Sequence, residues 1–470
     1  MKKLILLISV SIISISTIAQ DSLNMRLNYN WFDTTLPYNN YWAKDGENMR
    51  QYYNEIWGWH NPVDNREYGV IGVFDGTHIF DVTNPDSVYE ADYIPAKDRA
   101  DIHRDFKTYG NYLYGVADEG NNALQIIDMS YLPDSASLVY ESTEFVIQSH
   151  NIYIDEGILY MVSPTLTLGN VSGFRMLDIA TDPENPILLG DFDLPFGHGN
   201  HIHDLFVRDK KAYCSNGNSG FFIYDVADPN NVSFLASIES YSEQGYNHNG
   251  WLSEDSKTLF FTDETHGMGI KSFDISDLNN IEENVIFRSH VGAIVHNVFV
   301  HGDSLYASYY HDGVYVYNIE DPKCPYEVAY YDTYEEPDGY HSYQGAWGVY
   351  PFLPSGTVLV SDFENGLFVL TLENKTSVSP PAECNTGITN INETFHFSIS
   401  PNISSNYITL KLALGYKGDV KIYNSQGQLT QTISESNENQ KIDITSLTNG
   451  LYTVIIEEDN IIKTKKFIKN

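Results

Sequence analysis

The stretch VHNVFVHGDSLYASYYHDGVYVYNIEDPKCP, residues 295–325, decides the fold. It predicts three short strands, because its alternating runs end at the turns His301-Gly302-Asp303 and Asp312-Gly313 and then at an Asp-Pro pair. An isolated sheet of this kind would expose both of its faces to solvent and would have no hydrophobic core of its own. It must therefore pack against copies of itself.

The chain contains four further copies of this plan, and a histidine opens each of the five. These histidines are 45 to 53 residues apart: His103, His150, His203, His248 and His296. A repeat of roughly 40–50 residues built only from strands is typical of a β-propeller blade.

Two weaker copies begin at Glu55 and Gly345, and they share a Trp-Gly pair. The copy from Gly345 carries Ala-Trp where the others have His-Asn or His-Asp. The sequence thus predicts an all-β chain with a seven-bladed propeller, or a six-bladed one if the first copy only completes the ring.

An acidic residue ends the third strand of most copies, at Asp81, Asp128, Asp178, Asp225 and Asp274. A carboxylate in this position accepts backbone N–H groups of the following turn. We interpret these residues as turn caps rather than as chemistry.

The repeats resemble the LVIVD-repeat propellers, and the stretch from Glu55 to Leu372 is similar to the choice-of-anchor B family of bacterial secreted proteins. The resemblance rests on IWGW at Ile56, EYGVIGVFDGTHIFDVTNP at Glu67, DIHRDF at Asp101, SHNIYIDE at Ser149, HNGWLSED at His248, HNVFVHGD at His296 and GAWGVYPFLPSGTVLVSD at Gly345. It implies a secreted propeller and no settled activity.

The ends of the chain differ from this body. Residues 1–19 have the basic start, apolar run and small residues of a secretory signal peptide, and residues 20–53 predict an N-terminal arm packed on the propeller of residues 54–372. Residues 373–394 are polar and proline-containing, which is typical of a linker.

Residues 395–470 alternate in short strands separated by glycine turns, which predicts a small β-sandwich. With SPN near Pro401, VKIYNSQGQ at Val420 and IDITSLTNGLYTVII at Ile442, they resemble the C-terminal sorting domain of type IX secretion cargo of the Bacteroidetes. The resemblance implies the type IX machinery as a partner, and a secreted or outer cell-surface location.

The composition of the chain excludes some classes of binding partner. The net charge of −36 and a sequence pI near 4.5 would repel nucleic acid and anionic lipid, and no further membrane segment is evident. The cysteines are Cys214, Cys324 and Cys384. A bridge between Cys324 and Cys384 and three free thiols both remain open.

The five repeat histidines are the strongest functional lead. Propeller symmetry would gather them at one mouth of the central channel, where three or four imidazoles suffice to hold a divalent transition metal. The structural alternative, which the pattern favours, is a hydrogen-bond network with a turn carboxylate such as Asp118, Asp263 or Asp362. The Asn or Asp that follows most of these histidines also suits a turn-fixing role.

A second histidine cluster lies in FGHGNHIHDLF. His201 and His203 are predicted to alternate along one strand, and with His198 and Asp204 they form a second candidate site at the channel mouth. His341 precedes the copy that lacks a ring histidine and is a candidate to replace it. No nucleophile elbow, dinucleotide fingerprint, phosphate loop or zinc-protease motif is present.

These observations favour an exported binding scaffold for an unknown protein or glycan ligand. The rival hypothesis is a propeller metalloenzyme with the histidine ring as ligands, and a third is a glycan-binding module with tyrosine and tryptophan platforms.

Overall fold

The computed structural model describes residues 22–42, 48–98, 103–334, 340, 343–373, 378–381, 384, 397–401, 403–412, 418–424, 428–434, 439–458 and 461–470. The predicted signal peptide, residues 1–19, and most of the predicted linker lie outside these ranges. The chain forms two compact units, one within residues 22–396 and the other within residues 397–470. Both are all-β in their described parts.

The first unit is a β-propeller whose repeated element is an antiparallel sheet of consecutive strands. The described residues contain seven such sheets. The first five comprise Tyr53–His60, Glu67–Val73, Gly76–Asp81 and Tyr89–Pro95; Arg104–Tyr109, Tyr112–Ala117, Leu124–Asp128 and Ser137–Ser142; Ile152–Asp155, Ile158–Val162, Phe174–Asp178 and Ile187–Phe192; Asp204–Arg208, Lys211–Ser215, Phe221–Asp225 and Ser233–Ile238; Asn247–Leu252, Thr258–Asp263, Ile270–Asp274 and Glu282–Phe287.

The last two sheets receive their outermost strands from the N-terminal segment. The sixth comprises Val298–His301, Ser304–Tyr309, Gly313–Asn318 and Tyr326–Tyr331 with Ser22–Leu23 at its edge, and the seventh comprises Ala346–Tyr350, Thr357–Asp362 and Gly366–Leu372 with Met25–Trp31. Two hairpins lie outside the sheets, Asn39–Trp42 with Asn48–Gln51 and Thr165–Leu166 with Gly169–Asn170. The N-terminal segment therefore joins the start of the propeller to its end.

The first strands of the seven sheets surround the propeller axis. Each contacts the first strand of the next sheet, and the seventh contacts the first, so the ring is closed. The three inner strands of each sheet are mostly buried, whereas the fourth is more exposed in every sheet but the sixth, where Tyr326–Tyr331 is mostly buried. Valine, isoleucine and aromatic residues on the inner strands suit this two-sided burial and form clusters between neighbouring sheets.

The acidic residues that end the third strands cap the following turn, as predicted. The Asp178 carboxylate accepts the backbone N–H of Ala180 at 2.9 Å, and Asp225 accepts that of Ala227 at 2.9 Å. The same bond recurs at Asp81, Asp128 and Asp274. These carboxylates are therefore structural.

The second unit is a β-sandwich. One sheet contains Ser398–Ser400, Tyr407–Lys411 and Asn439–Asp443, and the other contains Ile403–Ser404, Ile461–Lys469, Gly450–Glu458, Val420–Asn424 and Leu429–Ile433 in spatial order. Alternate residues of both sheets are buried, among them Ile408, Leu410, Ile422 and Val454. The predicted period-two pattern thus corresponds to the sandwich core.

The structure resolves the cysteine question. Cys324 and Cys384 form a disulfide bond, and Cys214 is a buried free thiol. The described residues contain no helix with the length and apolar character that crossing a membrane requires.

Candidate functional site

The five repeat histidines meet at the propeller axis. Each lies at or just before the first strand of its sheet, so the closed ring of first strands brings the imidazoles together. Ring centroids of successive histidines are 5.6 Å apart for His103 and His150, 4.6 Å for His150 and His203, and 4.2 Å for both His203–His248 and His248–His296. The repeat spacing therefore predicted a real cluster.

Trp347 completes this ring. Its indole lies 4.0 Å from His296 and 5.0 Å from His103, measured between ring centroids. It occupies the position that a histidine has in the second to sixth sheets. The sequence showed the substitution as Ala-Trp in place of His-Asn, but it did not show that tryptophan closes the ring.

A cavity of about 290 Å³ opens on the ring. Four histidines line it together with the carboxylate of Glu264 and a group of larger side chains: Gln51, Tyr310, Tyr343, Trp347 and Phe363. The Tyr310 hydroxyl donates a hydrogen bond to Glu264. The cavity thus combines imidazole nitrogens, one carboxylate and aromatic walls, a composition suited to a small ligand.

Hydrogen bonds from Nδ1 fix the tautomers of two ring histidines. Nδ1 of His203 donates to the backbone carbonyl of His248 at 3.2 Å, and Nδ1 of His296 donates to that of Trp347 at 2.6 Å. Because a carbonyl only accepts, these Nδ1 atoms carry the hydrogen and Nε2 keeps its lone pair. This arrangement is typical of metal-ligating histidines.

Asp118 holds the other side of the ring. Its Oδ2 atom lies 2.6 Å from Nδ1 of His150 and 3.2 Å from Nδ1 of His103. Burial alone would lower the pKa of His150, but the hydrogen bond and charge of Asp118 outweigh it and raise this pKa to about 9. The same bonds hold the pKa of Asp118 well below its usual range, against the effect of burial.

Burial lowers the pKa of His203, His248 and His296 well below the ordinary value of histidine. These side chains are therefore neutral imidazoles at pH 7, the form that binds metals. Nε2 of His296 is buried and has no hydrogen-bond partner.

Three groups of side chains bring potential ligand atoms within 4.8 Å of one another. They are His150, His203 and His248; His103, Asp118 and His150; and His248, Glu264 and His296. In the third, Nε2 of His248 lies 3.8 Å from the Glu264 carboxylate, and burial raises the pKa of Glu264. Sequence reasoning missed Glu264 and Tyr310, since no motif marks them.

The proposed network of ring histidines with turn carboxylates occurs at Asp118. Asp263 instead pairs with Lys271 at 2.5 Å and accepts a hydrogen bond from Tyr241. Asp362 accepts hydrogen bonds from Thr333 and from the backbone N–H groups of Glu364 and Asn365. These partners occupy the carboxylates of Asp263 and Asp362, and neither carboxylate forms a hydrogen bond with a ring histidine.

The second histidine cluster is not assembled as a mouth site. Nδ1 of His198 bonds to the Tyr224 hydroxyl at 3.0 Å, and Nε2 of His201 bonds to the Tyr246 hydroxyl at 2.9 Å. Asp204 is next to His203 in the sequence, and its side chain lies in a deeper layer of the channel. His201 precedes the strand Asp204–Arg208, so the alternation inferred for it and His203 does not hold. The remaining candidate, His341, lies outside the described residues.

Comparison with known proteins identifies the C-terminal unit. Residues 398–470 match the family described as the secretion system C-terminal sorting domain. This chain is therefore exported to the cell surface or secreted, and its sorting domain implies contact with the type IX secretion machinery. No curated protein matches the chain.

Two solved structures are similar at low identity. One is PorZ, "an essential bacterial surface component of the type-IX secretion system" of Porphyromonas gingivalis, with 12% identity, a TM-score of 0.42 and coverage of 86% of this chain and 58% of PorZ. The other is the computationally designed protein Ika8, with 10% identity, a TM-score of 0.41 and coverage of 88% of this chain and 96% of Ika8. This chain thus spans less than two thirds of the length of PorZ.

Proposed function

We propose that this exported propeller is a binding protein of the LVIVD-repeat and choice-of-anchor B kind, and that its histidine ring holds one divalent transition metal ion. His150, His203 and His248 are the primary ligands, with His103 and His296 beside them. The observation that carries the proposal is the hydrogen bonding of the ring, since Nδ1 of His203 and His296 is held by a carbonyl while Nε2 stays available.

A purely structural role explains this pattern less well. A histidine that only pins two strands satisfies both nitrogens or exposes one to water. Here Nε2 of His296 is buried without a partner, and a buried polar atom left unpaired costs about 1–3 kcal/mol. A metal ion at the ring that also contacts Nε2 of His296 would offset that cost.

The cavity gives the metal centre a binding role. A ligand that reached the ion through the cavity would meet the aromatic side chains of Tyr310, Trp347 and Phe363 on its way. We therefore propose a small molecule with a donor atom and an apolar body as the ligand class. The cavity volume of about 290 Å³ lies at the lower end of the range for small-molecule pockets.

One observation favours the metalloenzyme as a second candidate. The Glu264 carboxylate is half-buried and lies 3.8 Å from Nε2 of His248. Desolvation raises its pKa, and the Tyr310 hydroxyl donates a hydrogen bond to it. A carboxylate in this position could accept a proton from a molecule bound in the cavity. Activity would then disappear in Glu264→Gln while metal binding persists.

Cobalt titration of the untagged full chain tests the proposal. Because d–d absorption reports the ligand field, one Co²⁺ per chain with a spectrum of nitrogen ligation is expected, and Zn²⁺ should displace it. The double variant His203→Gln/His248→Gln should bind at least a hundredfold more weakly. His201→Gln is the matched control, since it removes a nearby histidine that bonds only to Tyr246, and it should bind like the unmodified chain.

A folded wild-type chain that gives no Co²⁺ spectrum would overturn the metal proposal. Equal binding by the double variant would overturn the assignment of the ring as its site.

A further inference from the structure

A second ring of polar side chains lies directly below the histidine ring. Six of the seven sheets contribute one residue each to it: Glu55, Asp105, Asn151, Asp204, Asn249 and Asn297. Four of these residues follow a ring histidine immediately, and Asp105 follows two positions after His103. The sequence is compatible with a turn-fixing role for these Asn and Asp residues, and the structure shows that their side chains line the channel.

The seventh sheet contributes a glycine at this level. A Cβ atom on Gly348 would lie 2.8 Å from Cγ2 of Ile56 and 3.5 Å from Oε1 of Glu55. The space is therefore taken by the first sheet, whose Glu55 carboxylate extends into the ring.

The ring is deeply buried. The exposed fractions of its members are 8% for Glu55, 2% for Asp105, 7% for Asp204, 5% for Asn249 and 8% for Asn297. Removing a carboxylate from water costs several kcal/mol unless a cation or strong hydrogen bonds compensate. The hydrogen-bond and ion-pair partners of each carboxylate therefore decide what the ring can bind.

One carboxylate of the ring, that of Asp105, has its negative charge balanced by Lys107. Nζ of Lys107 lies 2.6 Å from Oδ1 of Asp105, and the other oxygen of Asp105 accepts the backbone N–H of Ile152 at 2.6 Å. Asp204 accepts a hydrogen bond from Nδ2 of Asn249 at 2.6 Å. Among the described residues no lysine or arginine forms an ion pair with Glu55 or Asp204. Burial raises the pKa of Glu55 to about 8, so a cation bound in the ring would displace the proton of this carboxyl group.

Two amide oxygens of the ring also lack partners. Oδ1 of Asn297 and Oδ1 of Asn151 are buried without a hydrogen bond. Both residues line a cavity of about 20 Å³ at the centre of the ring. A space of this size holds one water-sized species.

We propose that the second ring binds one hard cation, Ca²⁺, through its carboxylate and amide oxygens. Carboxylate and amide oxygens are the donors that Ca²⁺ prefers, and the ring presents both kinds around one small space. The ion would satisfy Oδ1 of Asn151 and Asn297 and pair with the carboxyl groups of Glu55 and Asp204. This site uses no histidine and is independent of the metal centre proposed above.

Calcium binding to the untagged full chain tests this inference. After treatment with a chelator, the chain should take up one Ca²⁺, and its melting temperature should rise by several degrees in CaCl₂ relative to choline chloride of equal ionic strength. Glu55→Gln should weaken Ca²⁺ binding at least tenfold. Asp204→Asn should do the same and serves if Glu55→Gln does not fold.

Two controls separate the rings. Glu264→Gln removes a carboxylate from the upper cavity and should keep full Ca²⁺ affinity. His203→Gln/His248→Gln should lose Co²⁺ but keep Ca²⁺. Failure of the Co²⁺ experiment alone would leave this proposal standing.

The contradicting result is equally direct. If Ca²⁺ changes neither the metal content nor the melting temperature of the folded wild-type chain, the ring holds protonated carboxyl groups instead of a cation. Unchanged Ca²⁺ affinity in both Glu55→Gln and Asp204→Asn would overturn the assignment of the site.

Discussion

Nδ1 of His296 donates a hydrogen bond of 2.6 Å to the backbone carbonyl of Trp347, and the two rings lie 4.0 Å apart between centroids. The same carbonyl accepts the hydroxyl of Ser308 at 2.8 Å. These contacts connect the sixth sheet to the seventh at the level of the channel mouth. They hold the imidazole of His296 in one tautomer and one orientation, which a metal centre requires.

Trp347 is expected to stabilise the propeller as well as to close the ring. Its indole packs 4.5 Å from the ring of Phe363 and also contacts Tyr310. Trp347→Ala should lower the free energy of unfolding by about 3–5 kcal/mol, because a buried aromatic side chain is replaced by a cavity. Urea denaturation measures this loss. Phe196→Ala, which changes a fully exposed ring, is the control and should be nearly neutral.

The pair of His150 and Asp118 predicts a pH dependence in the metal-free chain. The folded-state pKa of His150 is raised to about 9, so its contribution to stability is complete below pH 6.5 and is lost as the pH rises through 9. Stability should therefore fall by about 2–3 kcal/mol between pH 6.5 and pH 9.5, at 1.36 kcal/mol per pKa unit.

Tryptophan fluorescence during urea unfolding in the presence of a chelator measures this slope. All six tryptophans lie within residues 31–347, so the signal reports on the propeller unit. Asp118→Asn should remove most of the slope. A slope equal to that of the wild type in this variant would show that His150 does not titrate against Asp118.

The N-terminal segment should be essential for propeller closure. Met25–Trp31 pairs with Gly366–Leu372, with Met25 opposite Leu372 and Trp31 opposite Leu367. Deleting residues 22–31 would leave an apolar edge strand unpaired, and such edges pair with other chains. We expect a melting temperature at least 10 °C lower and oligomers in size-exclusion chromatography, whereas a monomer of unchanged stability would refute the role.

The disulfide between Cys324 and Cys384 should stabilise the folded chain by restricting the unfolded one. Its two cysteines are 60 residues apart, and a loop of this length corresponds to about 2–4 kcal/mol. Cys324→Ser/Cys384→Ser should lose stability in this range. Thiol titration of the wild type should give one thiol after denaturation and none before, because Cys214 is buried.

The sequence predicted the parts of this structure that repeat. Strand alternation predicted the sheets, the aspartates at strand ends predicted the turn caps, and the spacing of the histidines predicted their meeting at the axis. Each of these features follows from local periodicity and from the symmetry of the propeller. The sorting domain was similarly evident from its own strand pattern and motifs.

The remaining site residues were not predictable, because they depend on contacts between sheets. Asp118 follows the strand Tyr112–Ala117 of the second sheet, yet its closest ring partner is His150 of the third. Glu264 reaches His248 through the turn after a strand, and no spacing marks it. A repeat also does not reveal the direction of side chains in an irregular loop. The hydrogen bonds of His198 and His201 to tyrosines were therefore not predictable.

Anomalous X-ray scattering from crystals of the full chain grown with Zn²⁺ tests the central claim most directly. A single strong peak at the zinc edge, on the propeller axis and within bonding distance of His150, His203 and His248, is the result that we predict. Crystals with ordered ring histidines and no anomalous peak among them would contradict it.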